Sequence, residues 1–132
     1  MTRYLLDTHV FLWADARPAD LPSRMQQVLR DPQHRFYLSL VSLWEIQIKH
    51  QLGKLTLRVP IEILVNEQRT ASQLSFVLIK LSHIYRLADL PLYHRDPFDR
   101  LLIAQALDER LTIITADPAV MAYDVPCLSK DE

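Results

Sequence analysis

The stretch RYLLDTHVFLW, from Arg3 to Trp13, decides how the rest of the chain is read. Its apolar run from Tyr4 to Leu6 halts at a carboxylate, Asp7, and resumes as Val10-Phe11-Leu12-Trp13. Apolar residues at successive rather than alternate positions mark a strand covered on both faces, as in a parallel sheet. Such sheets carry their working groups in the crevice beyond the carboxyl ends of the strands, which is where Asp7 falls.

Three further apolar runs read as strands: RFYLSL (35–40), SFVLIKL (75–81) and TIIT (112–115), with VPCLS (125–129) as a candidate fifth. Helical segments separate them. THVFLWAD follows the first strand, and LPSRMQQVLRDP enters at Pro22-Ser23 and stops at Pro32. SLWEIQIKHQLGKL is apolar at Leu43, Trp44, Ile46, Ile48 and Leu52 and ends at Gly53. VPIEILVNEQRTASQL opens at Pro60, and SHIYRLADLP closes at Pro91. DPFDRLLIAQALDERL has Asp96 as N-cap, Pro97 at the first helical position and Arg110 near its end. DPAVMAYD repeats that cap signature at Asp117-Pro118. The alternation predicts an α/β fold: a three-layer α/β/α sandwich around a central, mainly parallel sheet of four to five strands, in a single domain over residues 1–132.

Composition narrows the function classes. With 132 residues, 49% of them hydrophobic and 23% charged, the chain can bury one domain's core. A net charge of −1 does not hold nucleic acid by bulk electrostatics, so a polyanionic substrate would need local basic groups or bound metal ions. The single glycine, Gly53, rules out a glycine-rich phosphate loop and a dinucleotide fingerprint, and with them a nucleotide cofactor. The single cysteine, Cys127, has no partner for an internal disulfide or a cysteine zinc site. No apolar run approaches the ~20 residues that span a bilayer. Nor does the N-terminus pair a basic stretch with a long apolar core, so the expected location is the cytoplasm, with no membrane partner.

Four acids fall at one edge of the predicted sheet. Asp7 directly follows strand one; Glu45 lies three residues after Ser42, in the first turn of the next helix. Asp99 lies three residues after Asp96, and Asp117 two residues after TIIT. Singly, each reads as a helix-start residue: Ser42–Glu45 and Asp96–Asp99 resemble capping boxes, Asp7 and Asp117 sit as N-caps, and the helix dipole favours such acids by ~0.3–1 kcal/mol. Together they repel, by about 4 kcal/mol for a pair 4 Å apart at an effective dielectric of ~20. A bound divalent cation offsets far more of that than helix termini do, and hard oxygen donors suit Mg²⁺ or Mn²⁺. A carboxylate-held ion of this kind, alone or paired with another ~4 Å away, points to phosphodiester hydrolysis.

The segments LLDTHVFLW (5–13), SLVSLWEIQIK (39–49), RDPFDRLLIAQA (95–106) and TIITADPAV (112–120) resemble the PIN-domain family, specifically the VapC-type toxins of bacterial toxin–antitoxin pairs. The match runs in register from Leu5 to Val120; the stretch from Gly53 to Leu92 adds only compatible secondary structure. The resemblance implies a Mg²⁺- or Mn²⁺-dependent endoribonuclease with Asp7, Glu45, Asp99 and Asp117 as its catalytic, metal-binding acids. It implies Thr115 as a supporting hydroxyl, with Thr8 beside it. As partners it implies an RNA substrate, a second copy in a homodimer, and a cognate antitoxin that lays an amphipathic helix into a groove. Asp96 is an extra acid, best read as a cap. Ala119 and Val120 stand where some relatives carry a further acid, and Asp124 is seven residues beyond Asp117, so a second ion site would be weak or completed by substrate phosphate.

The five histidines, His9, His34, His50, His83 and His94, show no ligand spacing and read as surface or packing residues, although His9 lies close to Asp7. Arg95, Arg100 and Lys49 flank the acids as candidate RNA contacts, with Arg100 alternatively paired to a site carboxylate. Three rival readings stand beside the nuclease. A receiver-like phospho-acceptor module would pair acids at strand one, place a third after strand three and carry a late lysine; only Lys130 fits. A phosphatase with an aspartate nucleophile would need an acid where His9 stands. A catalytically silent PIN-fold interaction domain would not need four intact acids.

Overall fold

The computed structural model describes residues 1–129; Lys130, matched above to a receiver's late lysine, lies outside them. Five strands form one sheet: β1 (Arg3–Leu6), β2 (Arg35–Ser39), β3 (Ser75–Val77), β4 (Thr112–Ile114) and β5 (Cys127–Leu128). Seven α-helices connect or flank them: α1 (Thr8–Ala16), α2 (Ser23–Arg30), α3 (Leu40–Gln51), α4 (Ile61–Ser72), α5 (Leu81–Arg86), α6 (Pro97–Glu109) and α7 (Pro118–Met121). All pairings are parallel, in the order β3-β2-β1-β4-β5. The three-layer α/β/α sandwich predicted from the sequence is the fold observed, including its fifth strand. A receiver domain orders its strands 2-1-3-4-5. Here β3 lies outside β2, so that alternative does not describe this chain.

Successive strand residues face opposite ways, which divides the core in two. Tyr4, Leu6, Phe36, Leu38 and Ile114 pack against Phe11 of α1, Met25 of α2 and Leu64 of α4. Leu5 and Ile113 pack on the other face against Leu102 and Ile103 of α6 and against Val120 and Tyr123. Leu5, Leu38 and Ile114 are fully buried, which explains why these strands read as unbroken apolar runs.

The connection β1–α1–α2–β2 runs to one side of β1, and the later crossover brings β4 to its other side. A crevice therefore opens where β1 and β4 diverge, at the carboxyl edge of the sheet. Four helices start at or near that edge, α1, α3, α6 and α7, and each is capped by a side chain: Asp7, Ser39, Asp96 and Asp117.

Two boundaries differ from expectation. The cap of α3 is Ser39, whose Oγ accepts from the Val41 N–H at 3.0 Å, so the cap lies before Ser42 and the helix starts at Leu40. Ser42 sits inside that first turn and accepts the Thr8 hydroxyl at 2.8 Å, which places Glu45 in the second turn and removes the Ser42–Glu45 capping box. The cause is that β2 runs directly into α3, leaving no loop for a later cap. β3 is also shorter than SFVLIKL, because it is an edge strand with one neighbour; Leu78 and Ile79 beyond it are exposed.

Helices ending in a left-handed residue favour glycine, and the chain has one, Gly53, at φ 73° after α3. After α4 and α6 that role falls to Gln73 (φ 51°) and Arg110 (φ 57°), whose Cβ atoms crowd their own backbone. Arg110→Gly is expected to raise stability by ~0.5–1 kcal/mol, read as a higher urea midpoint at unchanged slope.

Candidate metal centre

Asp7 and Asp117 approach each other because β1 and β4 are neighbours. Asp7 uses Oδ1 to cap α1, accepting from the His9 N–H at 2.8 Å. Its Oδ2 accepts the Thr115 hydroxyl at 2.6 Å, and that same hydroxyl oxygen accepts from the Asp117 N–H at 3.0 Å. Thr115 thus fixes the spacing of the two acids. Asp117 in turn caps α7 through Oδ1, at 2.9 Å from the Ala119 nitrogen. Capping takes one oxygen of each carboxylate, and the second Asp7 oxygen is taken by the Thr115 hydroxyl.

Asp99 comes from the first turn of α6. Asp96 caps that helix by accepting from the Phe98 N–H at 2.9 Å, and Asp99 Oδ2 accepts from His94 Nε2 at 2.8 Å. Glu45 comes from α3, with a side chain only 3% exposed. Its Oε2 accepts from Lys49 Nζ at 2.6 Å, the favourable order for a pair four residues apart on a helix. Its Oε1 is buried without a partner. A buried carboxylate oxygen left bare is costly and calls for a cation or an N–H.

The acids sense one another. Burial, joined by the charges of Asp7, Asp96 and Glu45 and opposed by the His94 hydrogen bond, pushes the Asp99 carboxyl up to about 6. Burial also raises Asp7, with Asp117 adding to it, while the Thr115 and His9 hydrogen bonds oppose the rise. The hydrogen bond to Glu45 raises the Lys49 ammonium, helped by Asp96 and Asp99. The four acids are thus linked electrostatically, Asp99 to Asp7 and Glu45, and Asp7 to Asp117.

These residues fit a divalent cation. Carboxylate oxygens outnumber the positive groups facing them, one is unpartnered, and ligand atoms of His94, Asp99 and Asp117 lie within 4.8 Å of one another. His94 is the residue that sequence reading missed, having taken it for a surface or packing histidine. Its only linear signal is its place directly before the RDPFDR motif.

The other candidates are placed differently. Thr8 bonds to Ser42 and tethers α1 to α3; no bond links it to the acids. Arg100 donates to the Pro91 and Leu87 carbonyls and to Tyr123 Oη, not to a carboxylate. Lys49 is bound to Glu45. Arg95 stays exposed, on a hollow of about 510 Å³ shared with His94, Pro97 and Arg100. His9 and the exposed Trp13 line a second hollow, of about 320 Å³, together with Asp7 and Asp117. Asp124 lies in a separate hollow with Tyr93 and Arg86.

A parallel 3-2-1-4-5 sheet with an acidic pocket at its switch point defines a small α/β protein built around clustered carboxylates. Residues 4–125 match the PIN domain, and the chain belongs to the PIN domain family. Its fold is similar to that of VapBC2 from Rickettsia felis bound to a DNA fragment from its promoter, with a TM-score of 0.74, 15% identity, and coverage of 97% of this chain and 98% of that one. It is also similar to DNA-bound VapBC from Salmonella typhimurium, with a TM-score of 0.68, 13% identity, and coverage of 98% and 99%. A third likeness is to a toxin–antitoxin complex from Klebsiella pneumoniae, with a TM-score of 0.59, 18% identity, and coverage of 96% and 97%. No curated protein gives a significant match to the chain.

Because its folded value lies above the ~3.9 of an unfolded aspartate, Asp99 binds protons better in the native state. Its penalty is absent below pH ~4 and complete above about 6, so without metal the protein loses stability as pH rises through that window. Asp99→Asn is expected to flatten the loss and to raise the melting temperature in chelator at pH 7.5, as thermal unfolding from pH 4 to 8 will show. Lys49→Met leaves the Glu45 charge buried and unpaired, and is expected to cost about 1–3 kcal/mol in urea unfolding. Adding Glu45→Gln should recover much of that.

Proposed function

We propose that the chain is a metal-dependent endoribonuclease, the toxin of a toxin–antitoxin pair, acting in the cytoplasm. The observation that supports this reading is that Asp7, Glu45, Asp99 and Asp117, from four separate segments, act electrostatically on one another, with a Glu45 oxygen buried and unpartnered. PIN family membership and the fold likeness to VapBC and toxin–antitoxin complexes support it. Among the described residues no helix is long and apolar enough to cross a membrane.

The four acids would hold Mg²⁺ or Mn²⁺. When bound, such an ion neutralises charge on a phosphoryl oxygen and acidifies a water nucleophile. Thr115 orients Asp7 and sets its distance from Asp117. Lys49 fixes the rotamer of Glu45 by donating to its Oε2. Arg95, exposed on the rim, meets an RNA phosphate; Arg100 shapes that rim from behind. Asp96 serves as a cap.

The exposed apolar side chains Leu78, Ile79, Leu81, Ile84 and Tyr85 follow the edge strand β3 and continue along α5. An uncovered edge with such a strip favours burial against another protein. In this reading it is the face of a homodimer, and a cognate antitoxin silences the nuclease.

The test is partner-free protein incubated with RNA and Mn²⁺ or Mg²⁺. Cleavage is expected to stop in chelator and to fall at least ~100-fold in Asp7→Asn and Asp99→Asn, with circular dichroism unchanged. Undiminished cleavage in both variants would overturn the roles given to the acids. Intact cation binding with no RNA cut would favour the silent interaction domain.

A further inference from the structure

We propose that His94 is itself a ligand of the site's cation, a nitrogen donor beside Asp99 and Asp117 that tips the site toward Mn²⁺ over Mg²⁺. The inference rests on the cation-dependent reading above and adds to it a donor of different chemistry.

The distances are those of shared ligands. His94 Nε2 lies 2.8 Å from Asp99 Oδ2 and 4.0 Å from Asp117 Oδ2. Donors ~2.1 Å from one octahedral ion stand ~3 Å apart when adjacent and ~4.2 Å apart when opposite. The three atoms therefore need only small shifts to face a common ion. The two carboxylates are already held, Asp117 by its cap on α7 and Asp99 by the first turn of α6.

The backbone that carries the histidine is held. Its backbone N–H donates to Tyr123 Oη at 2.9 Å, and Tyr123 is buried. Arg100 donates to the same oxygen at 3.0 Å and to the Pro91 carbonyl at 2.8 Å, bracing the segment that leads into His94. That brace explains why Arg100 faces the loop rather than the acids. A surface histidine that merely packed would not need it.

Chemistry then sets the preference. Mg²⁺ favours oxygen donors and gives up water reluctantly, whereas first-row transition ions accept imidazole readily. A site of carboxylates alone would discriminate less between Mg²⁺ and Mn²⁺. The opposite role for His94, a counter-ion that only neutralises Asp99, makes the reverse prediction: it would compete with the cation, so its removal would tighten binding.

The experiment titrates metal-free wild-type and His94→Gln protein with Mn²⁺ and with Mg²⁺ by calorimetry, and records electron spin-echo spectra of the Mn²⁺-loaded proteins. Expected are nitrogen hyperfine modulation in the wild type and its loss in the variant, a Mn²⁺ Kd raised at least ~10-fold, and a Mg²⁺ Kd changed less than ~threefold. The wild-type spectrum tests the ligand without any substitution. Absence of nitrogen modulation, tighter Mn²⁺ binding in the variant, or equal loss for both ions would overturn the inference while leaving the nuclease intact. A wild type that binds neither ion would overturn both.

Discussion

Negative charge kept out of water at the carboxyl ends of β1 and β4 is the constraint around which this molecule is arranged. Asp7 and Glu45 are buried, and Asp99 is raised to about 6 by that burial and by its acidic neighbours. Nothing in the packing of the sheet requires this; an apolar or amide group at any of these positions would spare the repulsion. The cost is tolerated because each acid is tied at one oxygen or through a neighbour. Thr115 spans Asp7 and Asp117, Lys49 meets Glu45, and His94 meets Asp99.

Capping and ligation are not rival explanations for the acids at this edge. A carboxylate has two oxygens: in Asp7 and Asp117 one satisfies a helix N–H, and in Asp7 the other is held by the Thr115 hydroxyl. The cap supplies the rigidity that a ligand needs, since the helix start cannot move without breaking it. Asp96 shows the limiting case: it bonds to the Phe98 N–H and contributes to the site through its charge, felt by Asp99 and Lys49.

The long helix α6 links this pocket to the rest of the fold. Six successive residues, Leu101 to Ala106, are buried, so the helix is packed on every side and its first turn is a fixed platform for Asp99. Trp44 of α3 meets Phe98 of α6 edge to face at 5.2 Å, joining the helices that carry Glu45 and Asp99. Arg100, one residue beyond Asp99, braces the His94 loop. Packing and site geometry are here one structure.

The sequence by itself determined the layers, the parallel sheet and the four acids, because each is written locally. A doubly buried strand is an apolar run, a helix start is a proline or a capping side chain, and an acid beside either is visible without its neighbours. Only the tertiary structure decided between Ser39 and Ser42 as the cap of α3, since both offer the same hydroxyl and the end of β2 selects one. It alone turned Arg100 toward Tyr123 and took Thr8 away from the acids. It alone brought His94 to the carboxylates, through a hydroxyl on Tyr123 and a carboxylate across the crevice on Asp117. A histidine is recognised in a sequence by regular spacing from other ligands, and contacts closed by the folding of distant strands leave no such spacing.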